Sequence, residues 1–219
     1  MQRLLTGIRG FDEAVGGLET GRFHLVVGEE KSGRTSFALQ VAAIASRRGV
    51  ETFWLDCGGR LHYARLSSIV KHWGADLHRI RIAVPETFAE QLRLLVWACD
   101  FARAPKLIVV DDFTYLNRVE AFGDPARDKR FYKGLAFQSA LLKEATRTHR
   151  VTSIAIVDVH ERPGLGGPEP TANSVISYYS DSMIWMQTIG PGRKLLKLRS
   201  HDLAREFYVS VFEGGLTDA

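Results

Sequence analysis

Between Phe23 and Arg48 the chain runs from an apolar stretch, Phe23-His24-Leu25-Val26-Val27, through Gly28-Glu29-Glu30-Lys31-Ser32-Gly33-Arg34-Thr35-Ser36. It then enters a segment where Phe37, Val41 and Ile44 recur at helical spacing. A strand that turns tightly into a helix admits few folds, because the strand must lie inside a sheet and the helix must pack back on it. Glycine at the first and sixth positions of the turn lets successive N–H groups point inward and cradle an anion. The helix places the positive end of its dipole at the same point. A hydroxyl at the eighth position, Thr35, suits Mg²⁺. Gly28 to Ser36 therefore has the layout of a phosphate-binding loop, with ATP and Mg²⁺ as the implied ligands, but Arg34 stands at the seventh position where such loops carry Lys. The rival reading is a glycine-rich turn that binds nothing, and the flanking strand and helix weigh against it.

The alternation continues along the chain. Thr52–Leu55, Ile80–Val84, Leu107–Val110 and Val151–Val159 read as strands, Leu107–Val110 as a continuous apolar run buried on both faces and Val151–Val159 as another buried strand. Gly33–Arg48, Leu61–Trp73, Phe88–Phe101 and Lys129–His149 read as helices. Alternation of this kind predicts an α/β fold, a mostly parallel twisted sheet with helices on both sides. The last third changes character: Met183–Thr188, Lys194–Arg199 and Phe207–Phe212 read as strands without helices between them, with Gly190-Pro191-Gly192 as a turn. An antiparallel C-terminal extension is expected. No linker, repeat or low-complexity tract interrupts residues 1–219, which read as one domain.

An apolar content of 45% is enough for a core of ordinary size. No apolar run approaches the roughly 18 residues of a membrane span, and the first residues lack a secretory layout. Cys57 and Cys99 read as two buried reduced thiols of a cytoplasmic protein. A net charge of +4 permits an anionic partner without requiring one.

The second half of a nucleotide site is an acid ending a buried strand, and Leu107-Ile108-Val109-Val110-Asp111-Asp112 supplies one. Asp111 is expected to orient Mg²⁺ through water; the plain alternative is Asp at a strand terminus, where it favours a turn. Arg34 is planar, prefers bidentate pairing and is not equivalent to Lys. Lys31 either compensates for it or is a solvated loop charge. Glu29 and Glu30 add negative charge beside the polyphosphate position, which weakens binding.

Further stretches fall into one order. They are Thr6-Gly7, Phe11-Asp12 and Gly16-Gly17-Leu18; the phosphate loop; Leu55-Asp56-Cys57-Gly58-Gly59; Asn117-Arg118-Val119-Glu120-Ala121-Phe122-Gly123; Ile154-Ala155-Ile156-Val157-Asp158-Val159-His160; and Glu213-Gly214-Gly215-Leu216. Over nearly its whole length the chain resembles the P-loop ATPase core of the RecA/RadA recombinase superfamily, and within it the short archaeal RadB-type paralogues that lack an N-terminal DNA-binding domain. The resemblance implies a RecA-like fold and also exposes departures. Gly58 matches the position of the Glu that activates water. Asp158 matches the Gln that senses the γ-phosphate, and Val157 the Asn before it. With Arg34, these changes imply weak or absent ATP hydrolysis, because general-base and charge-stabilising roles are both missing. Asp56 or Asp112 would be the stand-in bases.

The resemblance also implies two DNA-facing loops, near Phe122–Arg130 and over Glu161–Ser177. Arg127, Lys129, Arg130, Phe131, Tyr132 and Lys133 interleave base and aromatic as single-stranded DNA binders do. The alternative is a solvated first turn of a helix whose Phe packs inward. The second segment is Gly/Pro-rich, reads as mobile, and offers Arg162 alone. Lys197 and Arg199 share one face of a strand and resemble the pair by which KaiC-like relatives reach a neighbour's phosphates; the alternative is a charged edge strand. Phe101-Ala102-Arg103-Ala104 fits a recombinase docking pattern or the end of a core helix. Three functions compete. The first is a recombinase paralogue that assists recombination and repair by binding a recombinase or sister paralogue, with single-stranded DNA a further ligand, as a homo- or hetero-oligomer. The second is a slow DNA-stimulated ATPase. The third is a KaiC-like signalling ATPase without a DNA role.

Overall fold

The computed structural model describes residues 3–100, 106–121, 123–161 and 168–219. The phosphate-loop stretch sits between β3 (Phe23–Gly28) and α2 (Arg34–Arg47). Before them, β1 (Arg3–Leu4), α1 (Arg9–Val15) and β2 (Leu18–Glu19) form a small two-stranded flap. Asp12 organises it by accepting from Thr6 N, Thr6 Oγ1 and Gly7 N at 2.8–2.9 Å. The Thr-Gly…Asp spacing noted in the sequence therefore has a local structural use.

The chain continues through β4 (Glu51–Asp56), α3 (Tyr63–Trp73), a 3₁₀ turn at Leu77–Arg79, β5 (Ile80–Ala83), α4 (Phe88–Asp100) and β6 (Lys106–Asp111). Then come α5 (Tyr115–Glu120), α6 (Pro125–His149), β7 (Thr152–Glu161), β8 (Pro168–Pro170) and α7 (Asn173–Tyr179). It ends in β9 (Ser182–Gly190), β10 (Arg193–Ser200), β11 (Ala204–Phe212) and β12 (Gly215–Asp218). One ten-stranded sheet runs β12-β11-β10-β9-β3-β7-β6-β4-β5, with β8 added to β7. From β5 to β9 neighbours pair in parallel, and β9 to β12 pair antiparallel. The expected parallel sheet with an antiparallel extension is present.

The apolar strands divide between two cores by their period of two. Val26, Val109, Ile154 and Ile156 face α2, where Phe37 and Val41 meet them. Leu25, Val27, Ile108, Val110, Ala155 and Val157 face α4 and α6, meeting Leu95, Leu135 and Leu142. Both faces are covered, so the central runs show no alternation in sequence.

Three expectations need correction. β10 lies between β9 and β11, so Lys197 and Arg199 do not protect an edge. Phe131 is 6% exposed, with its ring centroid 6.0 Å from that of Phe88, and is closed to base stacking. The stretch 161–177, expected as a mobile loop, holds β8 and the start of α7 in its second half. Arg162, Phe122, the side chain of Arg127 and the Phe101–Ala104 motif lie outside the described residues.

Candidate nucleotide site

The loop closes where β3 meets α2. Gly28 is obligatory on steric grounds, since a Cβ there would lie 2.3 Å from Met186 O on the neighbouring strand. Gly33 takes φ 98°, a left-handed value that lets the chain turn into α2. Glu29, Glu30 and Lys31 are exposed, whereas Ser32 is buried and Ser36 begins the buried face of α2. Gly28, at the end of β3, pairs in register with Asp158 of β7, and Asp56 with Asp111 at the ends of β4 and β6. The strand ends thus bring acids together beside the helix N-terminus.

Thr35 and Asp111 meet: Thr35 Oγ1 donates to Asp111 Oδ2 at 2.7 Å. Burial lifts the Asp111 carboxyl to about 6, and the charges of Asp112 and Asp56 add to that, while the Thr35 hydrogen bond opposes it. Asp112 is also raised, by burial first, against the pull of Arg118 and of the hydrogen bonds from Thr114.

Arg34 and Asp158 are partners. Arg34 Nη2 lies 3.2 Å from Asp158 Oδ1. The other Asp158 oxygen lies 3.5 Å from Arg118 Nη1, and Arg118 Nη2 is 3.1 Å from Asp112 Oδ2. A relay of alternating charge, Arg34–Asp158–Arg118–Asp112, therefore links the start of α2 to β7, α5 and the end of β6. Two of the departures seen in the sequence answer one another, and Arg118 joins them.

Gly58 carries no side chain into the site, but a Cβ there would meet the flexible Arg60 side chain at 3.3 Å, so the backbone admits one. Neither stand-in base is free. The Asp56 oxygens accept from Arg60 N at 3.0 Å and Leu61 N at 2.9 Å. Asp112 accepts from Thr114 N and Oγ1 and pairs with Arg118.

Lys194 escaped the sequence reading. It is 7% exposed, and its Nζ donates to Lys31 O in the loop and to Thr188 Oγ1, both at 2.8 Å. Burial lowers its pKa. Its signal was visible: it shares a strand face with Leu196 and Leu198, which lie in the core, so alternation directs a lone charge inward.

Arg34, Thr35, Asp56, Gly58, Asp111, Asp112 and Lys194 line a cleft of about 520 Å³, which also takes in Arg65 and Tyr115. Ser32 Oγ in the loop and Arg34 Nη1 at the start of α2 are buried without a hydrogen-bond partner. Orphaned donors beside a helix N-terminus fit a phosphate. Among the described residues no group of three His, Cys, Asp or Glu is arranged to hold a metal. The Thr35–Asp111 pair is what the chain offers, and it fits Mg²⁺, which keeps its waters and takes further oxygens from phosphate. When bound, Mg²⁺ would neutralise phosphate charge at this pair.

Of the DNA candidates, Lys129, Arg130, Tyr132 and Lys133 are exposed on α6. Arg130 stacks its guanidinium 4.8 Å from the Phe131 ring centroid. Phe137, 55% exposed, continues the strip four residues after Lys133 and went unnoticed in the sequence, although helical spacing from Arg130 and Lys133 points to it. Lys197 and Arg199 line a separate cleft of about 410 Å³ with Trp185, Met183 and Glu169, and Lys197 Nζ is 3.5 Å from Glu206 Oε1.

A phosphate loop on a parallel sheet with an antiparallel extension is the architecture of the RecA-like class of P-loop cores. The chain is 26% identical over 225 residues to the DNA repair and recombination protein RadB of Pyrococcus horikoshii, covering 99% of this chain and 94% of that protein. RadB of Pyrococcus furiosus is 25% identical over 224 residues, with 98% and 95% covered. RecA of Aquifex aeolicus is 27% identical over 198 residues, covering 87% of this chain and 56% of that protein. The chain thus spans about half the length of the RecA proteins it matches. A crystal structure of the RadB recombinase superposes with a TM-score of 0.80 at 23% identity, covering 99% of both chains. No protein-family model matches. The chain is thus similar over nearly its whole length to RadB proteins and over most of it to RecA, and it shares the fold of the RadB recombinase. Among the described residues, no helix is long and apolar enough to cross a membrane.

Proposed function

We propose that the chain is a recombinase paralogue of DNA repair and homologous recombination. It acts as an accessory or mediator that binds a recombinase or a sister paralogue, with single-stranded DNA as a further ligand. It hydrolyses ATP feebly or not at all. The observation that carries this reading is the Arg34–Asp158 pair. The loop's basic residue is held by a carboxylate instead of standing free for a transferring phosphoryl group. Gly58 supplies no base, and the oxygens of Asp56 and Asp112 already have partners. The retained Thr35–Asp111 contact supports nucleotide binding and favours, as second reading, a slow DNA-stimulated ATPase.

The test is ATP turnover by the purified chain with Mg²⁺, with and without single-stranded DNA, beside the repair variant Arg34→Lys/Gly58→Glu/Asp158→Gln. The expected result is background turnover in the wild type and a gain in the repair variant. DNA-stimulated turnover by the wild type would establish the second reading instead. The partner is sought separately, by co-elution with a recombinase in size-exclusion chromatography.

A further inference from the structure

The Arg34–Asp158 pair also bears on which nucleotide the loop takes, an inference that rests on reading the loop as a nucleotide site. Ser32 Oγ and Arg34 Nη1 are buried donors without partners, which calls for an anion in the loop itself. In loops of this kind the basic side chain after the second glycine reaches the outer phosphates. Here the other nitrogen of that side chain, Arg34 Nη2, already holds Asp158 Oδ1. Asp158 is itself firmly placed. β7 sets it level with Gly28, and Arg118, anchored on Asp112, stands 3.5 Å from its second oxygen. Asp158 therefore occupies one terminal nitrogen of the side chain that would meet the outer phosphates, and Glu30, Asp56, Asp111 and Asp112 put negative charge on a cleft wall that also carries Lys31, Arg34, Arg60, Arg65 and Lys194. We infer that Asp158 takes the place of the terminal phosphate, so that the site accepts a nucleoside diphosphate in preference to a triphosphate.

The experiment titrates the full chain with Mg-ADP and with Mg-AMP-PNP, the non-hydrolysable triphosphate, by calorimetry. The diphosphate should bind about tenfold tighter or more, as one like charge at short range in a half-buried site dictates. Asp158→Asn keeps the side chain's shape and removes its charge. It should bring the ratio close to one by raising triphosphate affinity, with diphosphate affinity little changed. Equal or tighter triphosphate binding by the wild type overturns the inference. So does a ratio that Asp158→Asn leaves unaltered. A wild type that takes neither nucleotide also overturns it, while the accessory role, read from partner co-elution, stands. Conversely, wild-type ATP turnover together with a diphosphate preference upholds the inference and sinks the claim of feeble hydrolysis. If Asp158→Asn does not fold, the wild-type ratio decides alone.

Discussion

Thr35 and Asp111 hold each other across the cleft, and the proton on Asp111 makes the site sensitive to pH. Burial raises its carboxyl from the usual 3.8 to about 6 in the folded chain. Between those values the folded state binds more proton than the unfolded state, so stability falls as pH rises through that window. Asp111→Asn mimics the protonated form. Relative to wild type it should gain on the order of 1 kcal/mol more stability at pH 7 than at pH 4, read from urea unfolding midpoints. Mg²⁺ needs the ionised carboxylate, so metal-dependent nucleotide binding should strengthen as pH rises through about 6. Thr35→Val removes a hydrogen bond that favours ionisation and should move that rise to higher pH. Thr35 and Asp111 were legible in the sequence because each sits at a fixed offset in a pattern. The Arg34–Asp158 contact was not, since it spans 124 positions and each residue alone reads as a loss.

Helix α6 separates two residues that the sequence treats alike. Phe131 faces the core and Tyr132, 53% exposed, faces solvent. Phe131→Ala should cost about 3 kcal/mol of stability by emptying a packed site. Tyr132→Ala should leave the unfolding midpoint in place. If α6 contacts single-stranded DNA, Tyr132→Ala paired with Lys133→Ala lowers affinity and flattens its salt dependence. Helix α2 carries another kind of dependence. Gln40, fully buried, donates to Thr6 O at 2.8 Å and Leu216 O at 2.9 Å and accepts from Leu216 N at 2.7 Å. Gln40→Ala strands those backbone groups and should cost about 3 kcal/mol, measured by chemical denaturation. The long strands and helices were readable because a period needs several residues to show itself. The short α5, α7, β8 and β12 offer too few, and tertiary pairing decides them.

Of the two cores, one on each face of the sheet, the one covered by α4 and α6 encloses both cysteines. Cys57 and Cys99 are buried free thiols; burial raises Cys57 well above its usual value and pushes Cys99 up to about 12. Neither should react with a maleimide in the native state, and labelling should follow the rate of unfolding. Labelling in folded protein would mean that one core opens locally. The fold class was legible from alternation alone; which strand neighbours which was not, because order in a sheet rests on long-range pairing.

The bond from Gly10 N to Asp218 Oδ1, 2.8 Å long, and the Gln40 clasp between Thr6 and Leu216 join residues at opposite ends of the numbering. During synthesis, at about 5–20 residues per second, the first segment leaves the ribosome long before its docking partner exists. Its native seat, the flap of β1, α1 and β2, is completed only when β12 emerges, so closure of that flap belongs among the last events of vectorial folding.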